Sequence, residues 1–246
     1  MAHFGQSDEK NRYTNMKLKK SYKWLIATTT VIVLALVGTY FYRHRFDKYE
    51  LTQEEQQQTM LEAQTEGKTL VTYFTWPTRD DVDGTTSASR LTLDGKLYGN
   101  TEYVAGIISK KIGADLHHIE TKRTYPATVG AVLDDTKEEH NRGDYPKLKS
   151  HVEDMSQYDI VFIGYPLWWY DMPMALYTFF DEYDLSGKTV VLFTTHGGNR
   201  FCRTLRTVQQ LEPKAVVMQG PAIFDREMDK AEEQVSKWLE MNKFVK

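Results

Sequence analysis

A single cysteine, Cys202, stands in 246 residues. That scarcity excludes an internal disulfide framework and any cysteine-built zinc or iron–sulfur cage within one chain. No supporting pattern surrounds Cys202 to make it a catalytic thiol, so it reads as a small core or surface residue. Charge of one sign is also scarce: 31 Lys and Arg stand against 34 Asp and Glu, a formal net charge of −3. Nothing in that balance points to nucleic acid as a partner. There is no P-loop, no Ser-His-Asp arrangement, no Gly-x-Gly-x-x-Gly after a strand and no internal repeat. What remains, 41% hydrophobic and 26% charged residues, is the balance of a globular chain, long enough for one ordinary domain and an appendage.

The appendage is N-terminal. Residues 24–42 read WLIATTTVIVLALVGTYFY without one charge, and a helix rising about 1.5 Å per residue over that length nearly crosses a hydrocarbon core of about 30 Å. Trp24 at one end and Tyr40, Phe41 and Tyr42 at the other are amphipathic rings suited to the two membrane interfaces. The run ends in TYFYRHR with no small-residue cleavage site, so a retained anchor is expected rather than a removed signal. Thr28, Thr29, Thr30 and Thr39 do not gather into one polar face, as they would in an amphipathic core helix. Lys17, Lys19, Lys20 and Lys23 precede the segment, whereas Arg43, Arg45 and Lys48 follow among Asp47 and Glu50. The flanking charges therefore predict a single-pass membrane protein with a cytoplasmic N-terminus and an extracytoplasmic folded domain. Residues 1–23 form the basic N-terminal segment, and the polar stretch 43–67 is expected to be a solvated helical or flexible stalk.

From Lys68 onward, short apolar runs alternate with helix-period stretches. The strands are expected at 69–75, 115–120, 158–165, 188–195 and 215–220, and the helices at 101–113, 145–155, 173–183, 203–211 and 225–242. Alternation of this kind predicts an α/β domain over 68–246: a doubly wound parallel sheet of five strands, with ligands taken at the strands' carboxyl ends.

Three loops at those ends hold the informative residues. Gly99-Asn100-Thr101 opens a helix, where free N–H groups and the positive end of the macrodipole suit a phosphate as well as they suit a plain helix cap. GYPLWWYDMP at 164–173 gathers Pro166, Trp168, Trp169 and Tyr170 in one strand-to-helix loop, a concentration of flat aromatic surface that implies a planar ligand. TTHGGNRF at 194–201 carries Gly197 and Gly198, which let backbone groups approach a ligand edge or make a tight turn.

In this order the three loops resemble the flavodoxin family, in particular its members with a long first loop followed by GNT, then GYPxWW-x-x-MP and THGG. The resemblance spans about residues 68–242. It implies a sheet of order 2-1-3-4-5 and FMN as the cofactor. It assigns Thr75, Asn100 and Thr101 to the phosphate, Trp76 to the ribityl–phosphate end, Pro166, Leu167, Trp168 and Trp169 to one side of the flavin ring, and Thr195, His196, Gly197 and Gly198 to the other. The departure lies in residues 76–98, which separate Thr75 from Gly99 where short-loop flavodoxins have contiguous donors.

The function implied is a membrane-tethered electron carrier serving a redox partner protein or a small electron acceptor. A flavin-dependent NAD(P)H:quinone reductase and a fold-only scaffolding module are the alternatives. An indole over the ring would disfavour an anionic reduced flavin by desolvation. Asp134 and Asp135 read as solvated loop charges. His117 and His118 alternate on a strand, facing opposite sides, and so do not build a shared metal site.

Overall fold

The computed structural model describes residues 28–33, 51–77, 90–93 and 95–245, and the chain divides into two units, Met1–Lys48 and Tyr49–Lys246. In the first unit residues 28–33 are helical. The rest of the expected anchor, 24–27 and 34–42, lies outside the described residues. Among the described residues no helix is long and apolar enough to cross a membrane.

The second unit opens with helix α1 (Gln53–Glu62), then strands β1 (Thr69–Tyr73), β2 (Arg90–Leu93) and β3 (Lys96–Gly99), helix α2 (Asn100–Ile112), strand β4 (Asp115–His118) and helix α3 (Val129–Arg142). It continues with β5 (Ile160–Pro166), α4 (Met174–Glu182), β6 (Thr189–His196), α5 (Thr204–Leu211), β7 (Val216–Phe224) and α6 (Ala231–Met241). Five strands form one parallel sheet in the order β4-β1-β5-β6-β7. Counted along the sheet's own strands this is 2-1-3-4-5. Strands β2 and β3 form a separate antiparallel hairpin.

Burial follows from layering. All of β5 and all of β6 are buried, as parallel strands covered on both faces must be. Val71, Tyr73, Phe162, Val191 and Phe193 pack with Val104 and Ile108 of α2 and Val235 and Leu239 of α6 in one cluster. The alternating residues Leu70, Ile163 and Leu192 are equally buried on the other face.

Two expectations are corrected here. Residues 145–155 form no α-helix; Lys122 N–H donates to Lys147 O and Lys149 N–H to Glu120 O, so this stretch runs beside the segment after β4. The helix lies earlier, at 129–142, where Gly143 adopts φ 65° and closes it. Asp134 and Asp135 are consequently helical rather than in a loop, and Asp135 pairs with Arg123.

The polar stretch before the sheet is also docked on the domain. Thr52 and Glu55 make a reciprocal capping box on α1. Leu51 is buried, Glu55 pairs with Arg206 of α5 at 2.7 Å, and Gln64 N–H donates to Thr189 Oγ1 at 2.8 Å. Polar contacts of α1 with α5 and β7, and of Gln64 after it with β6, fix this stretch, whose helix itself buries no residue.

Candidate functional site

Register places the carboxyl ends of β1, β5 and β6 side by side: Tyr73 pairs with Gly164, and Pro166 with Thr195. The chain stays coupled for a few residues beyond. Phe74 N–H donates to Gly164 O and Leu167 N–H to Thr195 O, both at 2.9 Å. All three loops named above therefore emerge from one edge of the sheet.

At the first loop the structure resolves the departure in the sequence. Hairpin β2–β3 returns the chain so that Gly99 lies directly against Thr75, although 76–98 separates them. A Cβ on Gly99 would stand 1.9 Å from Thr75 Oγ1. The Thr75 hydroxyl thus occupies the place of the side chain that Gly99, the N-cap of α2, does not have. Asn100 and Thr101 follow as the first helical residues, both buried, and their N–H groups lack intrahelical acceptors. Glu102 accepts from Gly99 N–H at 3.2 Å, leaving the mouth of the helix to the Thr75 hydroxyl and the two following amides. Thr101 Oγ1 is 2.8 Å from Thr195 Oγ1, which joins the first loop to the third.

The second loop is a strained turn. Trp168 and Asp171 exchange two backbone hydrogen bonds, N–H to O at 2.9 and 2.8 Å, while Trp169 and Tyr170 between them have φ of 52° and 65°. Both central residues with positive φ make a tight primed turn that bulky side chains seldom adopt. Asp171 braces it from within. Its carboxylate, 1% exposed, accepts from Met172 N–H, from Tyr177 OH at 3.0 Å, and from Arg203 Nε at 3.1 Å.

The tryptophans do not stand free. Trp168 is buried with its ring edge-to-face on Phe74 and Tyr125, at 5.4 and 5.6 Å. Trp169 donates its indole N–H to Thr136 Oγ1 at 3.1 Å, and Tyr170 is the exposed member of the turn. Trp76 donates its indole N–H to Pro126 O at 2.8 Å and meets Tyr125 edge-on at 5.5 Å.

In the third loop His196 is buried and stacks on Phe224 at 5.9 Å. Its Nδ1 accepts from Gly198 N–H at 2.9 Å, so the ring is fixed with its proton on Nε2. Burial, then the nearby Arg200, pushes its pKa down to about 4, a backbone contact with Ala222 opposing. His196 is accordingly neutral at physiological pH and a donor at Nε2. Gly198 has φ 125°, a conformation that side chains resist.

Among the described residues, three buried polar atoms along this edge have no hydrogen-bond partner: Asn100 Oδ1, Trp168 Nε1 and His196 Nε2. Buried polar groups are seldom left so. One is an acceptor and two are donors, the complement of a ligand that carries both hydroxyls and ring carbonyl or nitrogen acceptors. The sequence motifs named every one of these residues. They missed Gly99 as the residue that makes room for Thr75, and they missed the parts played by Tyr125, Pro126, Thr136, Glu139, Asp171 and Arg203, because most of the groups these residues meet are distant in sequence.

Comparison with known proteins places this arrangement. The chain is 28% identical to Flavodoxin 1 of Escherichia coli (strain K12) over 134 residues, 50% of this chain and 60% of that protein, and equally so to Flavodoxin 1 of Salmonella typhimurium. It therefore spans about 60% of the length of these curated relatives. Among solved structures, a flavoprotein from Bacteroides eggerthii superposes with a TM-score of 0.56 at 26% identity, covering 74% of this chain and 100% of that one. A flavoprotein from Bacteroides uniformis shares the fold with a TM-score of 0.54 at 22% identity, over 69% of this chain and 98% of that one. The family model described as Flavodoxin matches residues 95–242, more than half of the sequence and all of the second and third loops, and the chain belongs to the flavodoxin family.

Proposed function

We propose that the domain binds FMN at the carboxyl edge of its sheet and carries electrons between a redox partner protein and a second partner or small acceptor. The observation that carries this reading is the mouth of α2, where the Thr75 hydroxyl fills the space beside Gly99, the N-cap of the helix. Hydroxyl, amides and helix dipole converge there on one anion-sized position, and the partnerless atoms of Asn100, Trp168 and His196 suit the ribityl hydroxyls and the acceptor edge of the ring.

Bound FMN supplies the redox chemistry. The chain's own part is binding, orientation and desolvation. Thr75, Asn100 and Thr101 hold the phosphate end. His196, neutral and with its tautomer fixed, offers one hydrogen bond and no charge. The loops at 166–169 and 195–198 flank the ring and exclude water, which disfavours added negative charge on it.

The uncharged run at 24–42 and the lysines before it support a membrane tether, with the domain extracytoplasmic. Protease added to intact cells is expected to remove the domain; a domain protected until the cells are lysed would overturn this orientation.

The function is tested on the purified full chain by its visible spectrum during titration with FMN and stepwise reduction. A perturbed flavin spectrum saturating at one FMN per chain is the expected result, with no sustained oxidation of NAD(P)H. A colourless protein that leaves the FMN spectrum unchanged would refute the reading, and sustained NAD(P)H turnover would replace the carrier with a reductase.

A further inference from the structure

A part of the chain outside the three ligand loops grips the aromatic residues of two of them. Between β4 and β5, Pro126 O receives the indole N–H of Trp76, and the Tyr125 ring lies against Trp76, Trp168 and Phe74 at 5.5, 5.6 and 6.0 Å. Thr136 Oγ1, whose own proton goes to Val132 O at 2.7 Å, accepts from the indole N–H of Trp169. Lys137 Nζ stands 5.3 Å over the same ring. One turn further, His140 Nε2 is 3.5 Å from the guanidinium of Arg203, the residue that braces Asp171 in the strained turn.

The inward face of α3 is chemically unusual for a packing helix. Its buried residues are Val132, Thr136 and Glu139, one face at helical spacing. Glu139 is 1% exposed; both its carboxylate oxygens accept from Tyr125 OH at 3.0 Å, and Arg123 pairs with it at 3.1 Å. Burying a carboxylate costs stability that an apolar residue of similar volume would not. A helix serving only to cover the sheet would bury leucine there. The polar face gains direction instead, because hydrogen bonds fix the azimuth of a ring and apolar contact does not.

That direction is needed. Two consecutive bulky residues at positive φ, Trp169 and Tyr170, persist only where their surroundings over-determine them. Asp171 closes the turn from one end and Thr136 holds the Trp169 ring from the other.

We propose that the segment 123–140 is the positioning element of the cofactor edge, with Thr136 setting the ring of Trp169 and Glu139, through Tyr125, setting the ring of Trp168. The proposal rests on the FMN reading above. Neither Thr136 nor Glu139 touches the phosphate mouth; both act through another side chain.

The test uses the full chain and four variants, reading FMN affinity by quenching of flavin fluorescence, the midpoint potential of the bound flavin, and the indole emission of the apoprotein. Thr136→Val removes the acceptor for Trp169 and is expected to weaken FMN binding about five- to tenfold, the loss of one hydrogen bond, and to shift the potential. Thr136→Ser restores the acceptor and is expected to match the wild type in both. Glu139→Gln keeps an acceptor for Tyr125 and is expected to bind FMN within about twofold of wild type, whereas Glu139→Val strands the phenol and weakens binding about tenfold. Valine and serine at 136 giving the same affinity and potential would overturn the proposal. Should the wild type bind no FMN, the functional reading fails by itself. The positioning role then stands or falls on apoprotein emission, which Thr136→Val is expected to shift to the red and Thr136→Ser to leave in place; identical spectra would overturn it.

Discussion

Alanine at position 99 is expected to weaken FMN binding by one to two orders of magnitude while leaving a folded domain. Gly99 has φ −75°, a conformation open to any residue, so the loss is purely steric. The new Cβ would lie 1.9 Å from Thr75 Oγ1 and about as close as contacts ever come, 3.0 Å, to Thr75 Cβ. Either the hydroxyl rotates out of the mouth of α2 or the helix start moves away from β1. Overpacking of this kind typically costs about 1–3 kcal/mol, and here it falls on the geometry of the phosphate position, where about 1.4 kcal/mol is a tenfold change in affinity. FMN titration of Gly99→Ala beside Thr75→Ala and the double variant separates the causes. Thr75→Ala loses one hydroxyl donor; the double variant removes the 1.9 Å contact but keeps the 3.0 Å one to the Cβ of residue 75, and is expected to regain part of the thermal stability, yet to bind no better than Thr75→Ala alone. Wild-type affinity in Gly99→Ala would mean that the phosphate does not sit at this helix.

The second large effect is on stability as a function of pH, and it is read as the difference between two variants that each remove one of two opposing groups. Burial, with Asp135 and Asp144 adding to it and Tyr125 and Arg123 opposing, pushes the Glu139 carboxyl up to about 7 from its ordinary 4.5. The folded state then holds more protons than the unfolded one between those values, so stability present below about pH 4.5 is lost as pH rises through about 7. His196 runs the other way. With its pKa pushed down to about 4 from 6.5, stability present above about pH 6.5 is lost as pH falls through about 4. At about 1.4 kcal/mol for each pH unit of separation, either group contributes up to about 3 kcal/mol. In the wild type the two slopes largely cancel across pH 4.5–6.5. Denaturant unfolding of the apoprotein at several pH values is expected to show stability rising with pH in Glu139→Gln and falling with pH in His196→Gln. Parallel curves for the two variants would show that neither group titrates as its burial requires.

Much of this domain is legible in the sequence because its physical causes are local. Strands β5 and β6 are buried on both faces, so each had to be an unbroken apolar run, and YDIVFIGY and KTVVLFTT announce themselves. The loops following them are rich in glycine and aromatics, chemistry that a surface loop does not need for folding. The resemblance carried by GNT, GYPLWW and THGG therefore named residues that the tertiary structure gathers on one edge.

Errors arose where local pattern and long-range pairing disagree. YPKLKSHVEDM has apolar residues at helical spacing, yet it forms no α-helix because its backbone bonds go to Glu120 and Lys122 instead. Asp134 and Asp135 read as solvated loop charges because the helix that holds them, VGAVLDDTKEEHNR, buries two polar residues, Thr136 and Glu139; hydrophobic periodicity is blind to a polar face that finds its partners across the fold. The glutamine-rich stretch before β1 read as a stalk for the same reason, since its docking rests on Glu55, Gln56 and Gln64 rather than on an apolar stripe.

The sequence by itself determined the class of the fold, the number of sheet strands and the three loops at their carboxyl ends, because burial on both sheet faces and the chemistry of loops are written residue by residue. Only the tertiary structure decided that Thr75 and Gly99 share one position across residues 76–98, that Trp169 is held by α3 and Trp168 and Trp76 by Tyr125, and that His196 is neutral. Each of these depends on which groups meet in space and how far they are removed from water, and neither is encoded in the order of residues over any short window.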